Sequence, residues 1–541
     1  MEESVIQVFE TAPWIIFFAI VFFLFIIATG FFFSKKIGTT EDLVLAGRSL
    51  SLPYLVASAV ATYICAGAVI GAAGAAYGAG FQGVIFDPFS IALITFPLIA
   101  IFFAYPLRQA RYITVVDYYN IRYSKTMGTL YLIIQSLSII SWFGGQLVAF
   151  GIIISLTTGV NMTVAVIIAT LIIIIVTYLG GLWALSRVDL FAVIFLILTL
   201  LIMLPFVMNQ VGGFSSFFAN AENYAELPTF ALWPVAEEAG GYLWYTGIFG
   251  LFYYLSAWIA FGLGGLNCPV ALQRALAAKS SRVARQGFAI SGAIYLLIGV
   301  IPVLVGIAMY TYGVDLPVDQ QEMVLPLAAE LFLPPWLSVA FILTLVVAII
   351  STVGDSVLTA ATILGHNVYG YYRPQSTTEE QLKVIRILIP VIAIVGMIIA
   401  LSLGNVYRLI IFAGAIVLAT VIAPYIFGFY WKKSNNYGSI AAFFSGIVSW
   451  IVAFLIFLPY TKEANMGIIV EGQVYMDWAL WDAVFMALIP AFAVAVAAQI
   501  GISLVTQKSD PAKPLADVDG RPLERKGITF YSEDENMRNI K

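Results

Sequence analysis

The chain has 541 residues, of which 61% are hydrophobic and only 10% charged, and its net charge is −4. A soluble protein carries about 25% charged residues, so this composition describes a polytopic membrane protein with lipid as part of its apolar surroundings. The negative balance argues against a nucleic-acid partner. The two cysteines, Cys65 and Cys268, both in apolar segments, argue against disulfide staples or a zinc site.

Hydrophobic windows predict an all-α fold of about thirteen transmembrane helices. They lie near 12–34, 50–80, 83–107, 126–157, 160–184, 188–208, 244–271, 286–313, 334–364, 387–404, 407–431, 437–459 and 480–505. The first, from Trp14 to Phe33, is longer than a signal-peptide core and lacks a basic front, so it reads as a retained span. Residues 1–49 form an extracellular N-terminus and a first flanking helix. The second span, LVASAVATYICAGAVIGAAGAAYGAG, carries Gly67, Gly71, Gly74 and Gly78. These glycines suit either close helix packing or an unwound break. Asp87 follows in FDPF, either as a helix cap at the outer interface or as a counter-ion to a cationic solute. Residues 209–243 are an acidic outer loop containing Glu222, Glu226, Glu237 and Glu238.

The seventh span contains GLGGLNCP, whose glycines and Pro269 predict a break. Spans two to six (50–208) and seven to eleven (244–431) therefore each open with an irregular helix. An offset of five spans makes the two groups antiparallel, which is the footprint of a 5+5 inverted repeat with its site at the broken helices. In the ninth span, Ala348, Ser351, Thr352, Asp355, Thr359 and Thr362 recur at spacings of three and four and share one helix face. Polar groups there mark an ion or solute path by default, and hydroxyls with carbonyls suit an alkali cation. The single His366 reads as a surface residue at a helix end. Two flanking helices (432–507) and a polar, proline-containing tail (508–541) close the chain, and the tail is expected to be mobile and cytoplasmic.

With the N-terminus outside, 24 of the 26 Lys and Arg face the cytoplasm, leaving only Arg408 and Lys462 outside. The positive-inside rule thus predicts a multi-pass cell-membrane protein with an outer N-terminus and a cytoplasmic C-terminus.

Four segments carry a resemblance: LAGRSLSLP after the first span, TYLGGLWALSRVDLF at 177–191, QRALAAKSSRVARQ at 273–286 and AIISTVGDSVLTAATILGHNVY at 348–369. Together they resemble the solute:sodium symporter family over roughly residues 12 to 505. FFAYPLRQARYITVVDYY at 102–119 and MVLPLAAELFLPPWLS at 323–338 look most like its high-affinity choline transporter branch. The resemblance implies a LeuT-like ten-helix core with flanking helices. It also implies a sodium site formed by the carbonyls of Ala61 and Ile64 with Ala348, Ser351 and Thr352. Asp189 resembles the family acid near the ion path, and Asp355 the acid of choline-type members. Either is a candidate for a second ion or for supporting the first, and either could carry protons instead.

For the solute, Tyr63 and Trp142 match two walls of the choline-type aromatic cage, whereas Cys268 stands where a tryptophan would be the third. Asp87, Gln146, Asn267, Cys65 and Trp258 are further candidate solute-binding residues. An ammonium group favours aromatic faces, so an amine-bearing or zwitterionic solute is expected, with weak or absent choline affinity. A monocarboxylate or sugar is the alternative. A channel that has lost coupling is opposed by the intact ligand set. An integral-membrane enzyme is opposed by the absence of HExxH, GxSxG and phosphate-loop motifs. No cofactor beyond the coupling ion is expected, and the partners are the solute, sodium and lipid, with the chain a monomer or weak homo-oligomer.

Overall fold

In the computed structural model, the chain is described over residues 9–34, 40–221, 241–373 except 244, 375–465 and 476–523, together with the pairs 469–470, 473–474, 525–526 and 530–531. Side chains 179–188 lie outside the described residues, as do Lys35, Lys36, the acidic stretch 222–238 and the last residues of the tail.

Among the described residues nearly everything is helical. Extended structure is confined to three two-residue hairpins. Nine helices are long and apolar enough to cross a membrane, and two further spans are bent pairs. The shorter apolar helices Ala12–Phe25 and Met162–Tyr178 complete the pattern predicted from hydropathy. Helical conformation continues through Met162–Gln210, so the expected fifth and sixth spans are joined without a break in the helical assignment.

The second span is broken as Leu52–Tyr63 and Gly67–Ala79, bent by 55°. Ile64 leaves the helical ladder (φ −81°, ψ 59°). The small residues of 67–79 are used for contact, since a Cβ on Gly74 would lie 2.9 Å from the Gln321 carbonyl. The seventh span is also broken, as Gly247–Gly262, a 3-10 turn at Gly264–Asn267 and the helix Pro269–Ala277. Backbone groups freed at a break must be satisfied from elsewhere. Here the Thr95 hydroxyl lies 2.9 Å from the Gly262 carbonyl, and Tyr63 donates to Gly265 O (2.9 Å), which ties the two broken helices together.

A third bend was not expected. The eleventh span divides into Val406–Thr420 and Ile422–Tyr430 at 55°. Pro424 has no N–H to continue the ladder. Carbonyls around the bend accept from a tyrosine cluster as well: Tyr119 to Val421 O (3.0 Å), Tyr123 to Pro424 O (2.6 Å) and Tyr118 to Tyr425 O (3.0 Å).

The tail is not the free extension that its composition suggested. Val518 N donates to Ala110 O (2.9 Å), Lys513 donates to Tyr123 O (2.6 Å) and Leu515 and Ala516 are buried. The tail lies at the end of the molecule where Arg48 donates to Leu276 O and Arg111 O, and Arg108 to Ala278 O. We call this the basic end.

Candidate ion and solute site

The polar stripe of the ninth span is buried along its length in Pro335–Thr362. Its hydroxyls point at other helices. Thr352 Oγ1 is 3.1 Å from Ala61 O on the first broken helix and 2.9 Å from Ala348 O. Thr359 donates to Gln273 Oε1 (2.8 Å). Ser351 hydrogen-bonds Asp189 Oδ1, and Ser58 donates to Asp189 Oδ2 (2.5 Å). Thr362, by contrast, bonds its own helix at Leu358 O. The structure therefore gathers Ala61, Ala348, Ser351, Thr352 and Asp189 in one place, with Ile64 at the helix end beside them. Hydroxyl and carbonyl oxygens converging on a break suit a small hard cation.

One residue in this cluster escaped the sequence reading. Arg274 was counted among the cytoplasm-facing charges, yet its side chain is wholly buried. It pairs with Asp355 Oδ2, donates from Nε to Ser58 Oγ (3.0 Å) and lies 4.0 Å from Asp189 Oδ2. A charge inside a membrane protein faces the bundle interior and pairs. The signal available in the sequence was its place five residues after the predicted break at Pro269, on a helix that must line the core.

Beside the break lies a second cluster. Asp87 is extended (φ −155°, ψ 126°), as a residue before proline tends to be. It is fully buried and caps no helix, so the reading as an interfacial cap fails. Its Oδ1 accepts from Tyr295 OH at 2.5 Å, while Oδ2 has no hydrogen-bond partner. That free oxygen faces Gly67, where an added Cβ would lie 3.3 Å from it and 2.8 Å from Ile410 Cδ1. Gln146 Oε1 accepts from Ala66 N (2.9 Å), leaving its Nε2 unpartnered.

Tyr63 sits between Asp87's neighbours and an aromatic wall. Its ring centroid is 6.3 Å from Tyr295, 6.1 Å from Trp142 and 6.4 Å from Phe261. Trp142 and Phe261 are 5.2 Å apart, and they line a small cavity of about 20 Å³ together with Cys268. Phe261 thus supplies an aromatic face where Cys268 offers none. Cys65 is buried within the break. Two expected members lie elsewhere. Asn267 is turned away, bonded to Tyr119 (2.7 Å) and Tyr131 (3.1 Å), and serves the tyrosine cluster. Trp258 packs against Tyr254 at 6.3 Å, one helical turn back along the helix, and does not line the cavity beside Trp142 and Phe261.

Away from the basic end, a cavity of about 310 Å³ is lined by Gly71, Gly78, Tyr242, Tyr253, Tyr407 and Asp482, among others. Tyr407 forms its floor towards Asp87, donating to the carbonyls of Asp87 and Gly83 (both 3.0 Å). At the rim, Glu322 accepts from Val406 N (3.0 Å) and Tyr407 N (2.9 Å), capping the helix that carries Tyr407. Burial pushes the Glu322 carboxyl up to about 7.

A model of the sodium:solute symporter family matches residues 43–449. The chain belongs to that family. It is accordingly a membrane transporter rather than an enzyme. Relatives include the high-affinity choline transporter 1 of Caenorhabditis elegans, 26% identical over 77% of this chain and 71% of that protein. Others are the sodium/glucose cotransporter of Vibrio parahaemolyticus (26%, covering 86% and 87%) and the osmoregulated proline transporter of Bacillus subtilis (23%, covering 91% and 94%). In structure, the chain is similar to a Na+-coupled sialic acid symporter in a substrate-bound outward-open state, with a TM-score of 0.71 at 17% identity over 94% and 99% of the two chains. This symporter-family chain has the LeuT-like fold that the resemblance implied.

Proposed function

We propose that this symporter imports a small ammonium-bearing or zwitterionic solute, drawn in by sodium. The observation that carries the reading is the unpartnered Asp87 Oδ2, wholly buried at the break in the second span. A buried carboxylate oxygen without a partner is costly, and a cationic ligand relieves that cost. Gly67 leaves room beside it, Tyr63 and Tyr295 offer ring faces, and the free Gln146 Nε2 suits an acceptor on the same solute. The solute enters through the 310 Å³ cavity, which is large enough for a small organic molecule, and passes Tyr407 to reach Asp87.

Sodium binds where Thr352 and Ser351 meet the carbonyls of Ala61, Ile64 and Ala348. The site spans the broken helix and the ninth span, so ion binding favours one arrangement of the two, and that differential affinity is the coupling. The basic end faces the cytoplasm and the large cavity faces outward, in keeping with the distribution of Lys and Arg. The chain acts in the cell membrane without a cofactor beyond the ion.

The test is a thermal-shift screen of small amines, betaines, amino acids, sugars and monocarboxylates on the purified full chain, with and without sodium. A substrate should stabilise the protein more when sodium is present. Stabilisation by sugars or monocarboxylates and by no amine overturns the solute class. Stabilisation indifferent to sodium against potassium overturns the coupling ion.

A further inference from the structure

The cluster around Asp189 holds two carboxylates, one more negative charge than a single sodium ion would balance. Two carboxylates, Asp189 and Asp355, are buried within reach of one guanidinium, Arg274. All three are 2% exposed or less. Two negative charges and one positive leave one net negative charge among the described side chains of the cluster. Isolated buried charge is strongly disfavoured, so the remaining charge calls for one monovalent cation.

Arg274 is held as a fixed part of the protein. Its Nη1 donates to Val270 O (3.0 Å) and Gln273 Oε1 (3.3 Å), its Nε to Ser58 Oγ, and its Nη2 pairs with Asp355. A planar fork anchored at several nitrogens is preorganised and keeps its charge. The hydroxyl of Ser351 lies on the Asp189 side of the cluster, next to Thr352, so the mobile ion and the guanidinium occupy adjacent positions on one stripe. Asp355 Oδ1 has no hydrogen-bond partner, so removing the guanidinium would leave a carboxylate with both oxygens available.

We infer that Arg274 is a tethered cation that occupies the place of a second coupling ion, and so limits this cluster to one sodium per cycle. The inference rests on the sodium reading above and concerns the ion count rather than the ion's identity. Arg274 is a positioning residue: it touches neither solute nor sodium, and it sets how many ions the carboxylates can take.

The experiment is equilibrium binding of radioactive sodium to the purified full chain, with the sodium dependence of thermal stability as a second readout. Arg274→Gln raises the net negative charge by one. It should bind one more sodium per chain than the wild type, with a steeper sodium dependence of the melting temperature. The double variant Arg274→Gln/Asp355→Asn restores the charge and should return to the wild-type count. An Arg274→Gln protein with the wild-type ion count overturns the proposal. If that variant does not fold, Asp355→Asn alone decides: it leaves Asp189 balanced by Arg274, so the cluster should lose its sodium, and a wild-type ion count overturns the proposal. Failure of the wild type to bind any sodium would instead sink the sodium reading itself.

Discussion

Asp87→Asn separates the two things that a buried carboxylate can do. The substitution keeps an oxygen to accept from Tyr295, 2.5 Å away, and converts the unpartnered side of the group from a charged acceptor into a neutral donor. An ammonium about 4 Å from a carboxylate gains roughly 4 kcal/mol at an effective dielectric of about 20, before the desolvation of the solute is subtracted. Hydrogen bonds to charged groups net about 1.5–3 kcal/mol. A loss of about 2–3 kcal/mol corresponds to roughly 30- to 150-fold weaker binding of an ammonium solute. The empty protein should respond in the opposite direction. Removing an unpaired buried charge should leave its melting temperature unchanged or raised. Both quantities come from one set of melting curves in sodium, with and without solute. Unchanged affinity for amines, or a fall of several degrees in the empty protein, would show that Asp87 is a structural group and that the solute lies elsewhere.

Thr352→Val keeps the shape and removes the hydroxyl facing Ala61 O. Sodium should then be needed at about tenfold or higher concentration for half-maximal uptake, equivalent to about 1.4 kcal/mol or more, and uptake that runs equally well in potassium would refute the site. Glu322 gives a pH signature. Its folded value of about 7 lies above the ordinary 4.5, so the folded state holds the proton more tightly, and stability from this group should fall as pH rises between those values and level off above. Melting curves of Glu322→Gln should lack that component, and identical pH profiles would count against it. Cys268→Trp tests the aromatic wall: its cavity of about 20 Å³ already has Phe261 at its edge, so the larger ring should overpack the core and cost about 1–3 kcal/mol. A gain in quaternary-ammonium binding without loss of stability would show that the wall is incomplete.

Much of this arrangement was legible because membrane helices permit few exceptions. A hydroxyl or carboxylate in an apolar span stands out, so Ser351, Thr352 and Asp355 could be singled out, and GLGGLNCP could be read as a break. Neighbour faces were harder to read. Asn267 and Trp258 sit near that break in sequence, but the 3-10 turn directs Asn267 to Tyr119, and Trp258 lies about a helical turn before Phe261 on its helix. Phe261, one of 40 phenylalanines in the chain, carried no mark of its role. Arg274 was misread because the charge rule places basic residues at the cytoplasmic face, and only the three-dimensional cluster shows two carboxylates waiting for it. Tyr407 and the bend at Val421 depended on groups from distant segments, Asp87 and Gly83 in one case and the tyrosines at 118–123 in the other.

The docked tail makes the basic end readable from outside the transport path. Val518 is fastened at Ala110, Lys513 at Tyr123, and Asp510 accepts from Tyr437 N at 2.7 Å. These anchorages belong to three different parts of the bundle. If the bundle changes shape as the ion and solute cross, their spacing changes, and the tail must either slacken or peel away. It is in effect a strain gauge built into the chain, and a dye at Val518 would report the alternation of states without entering the pore.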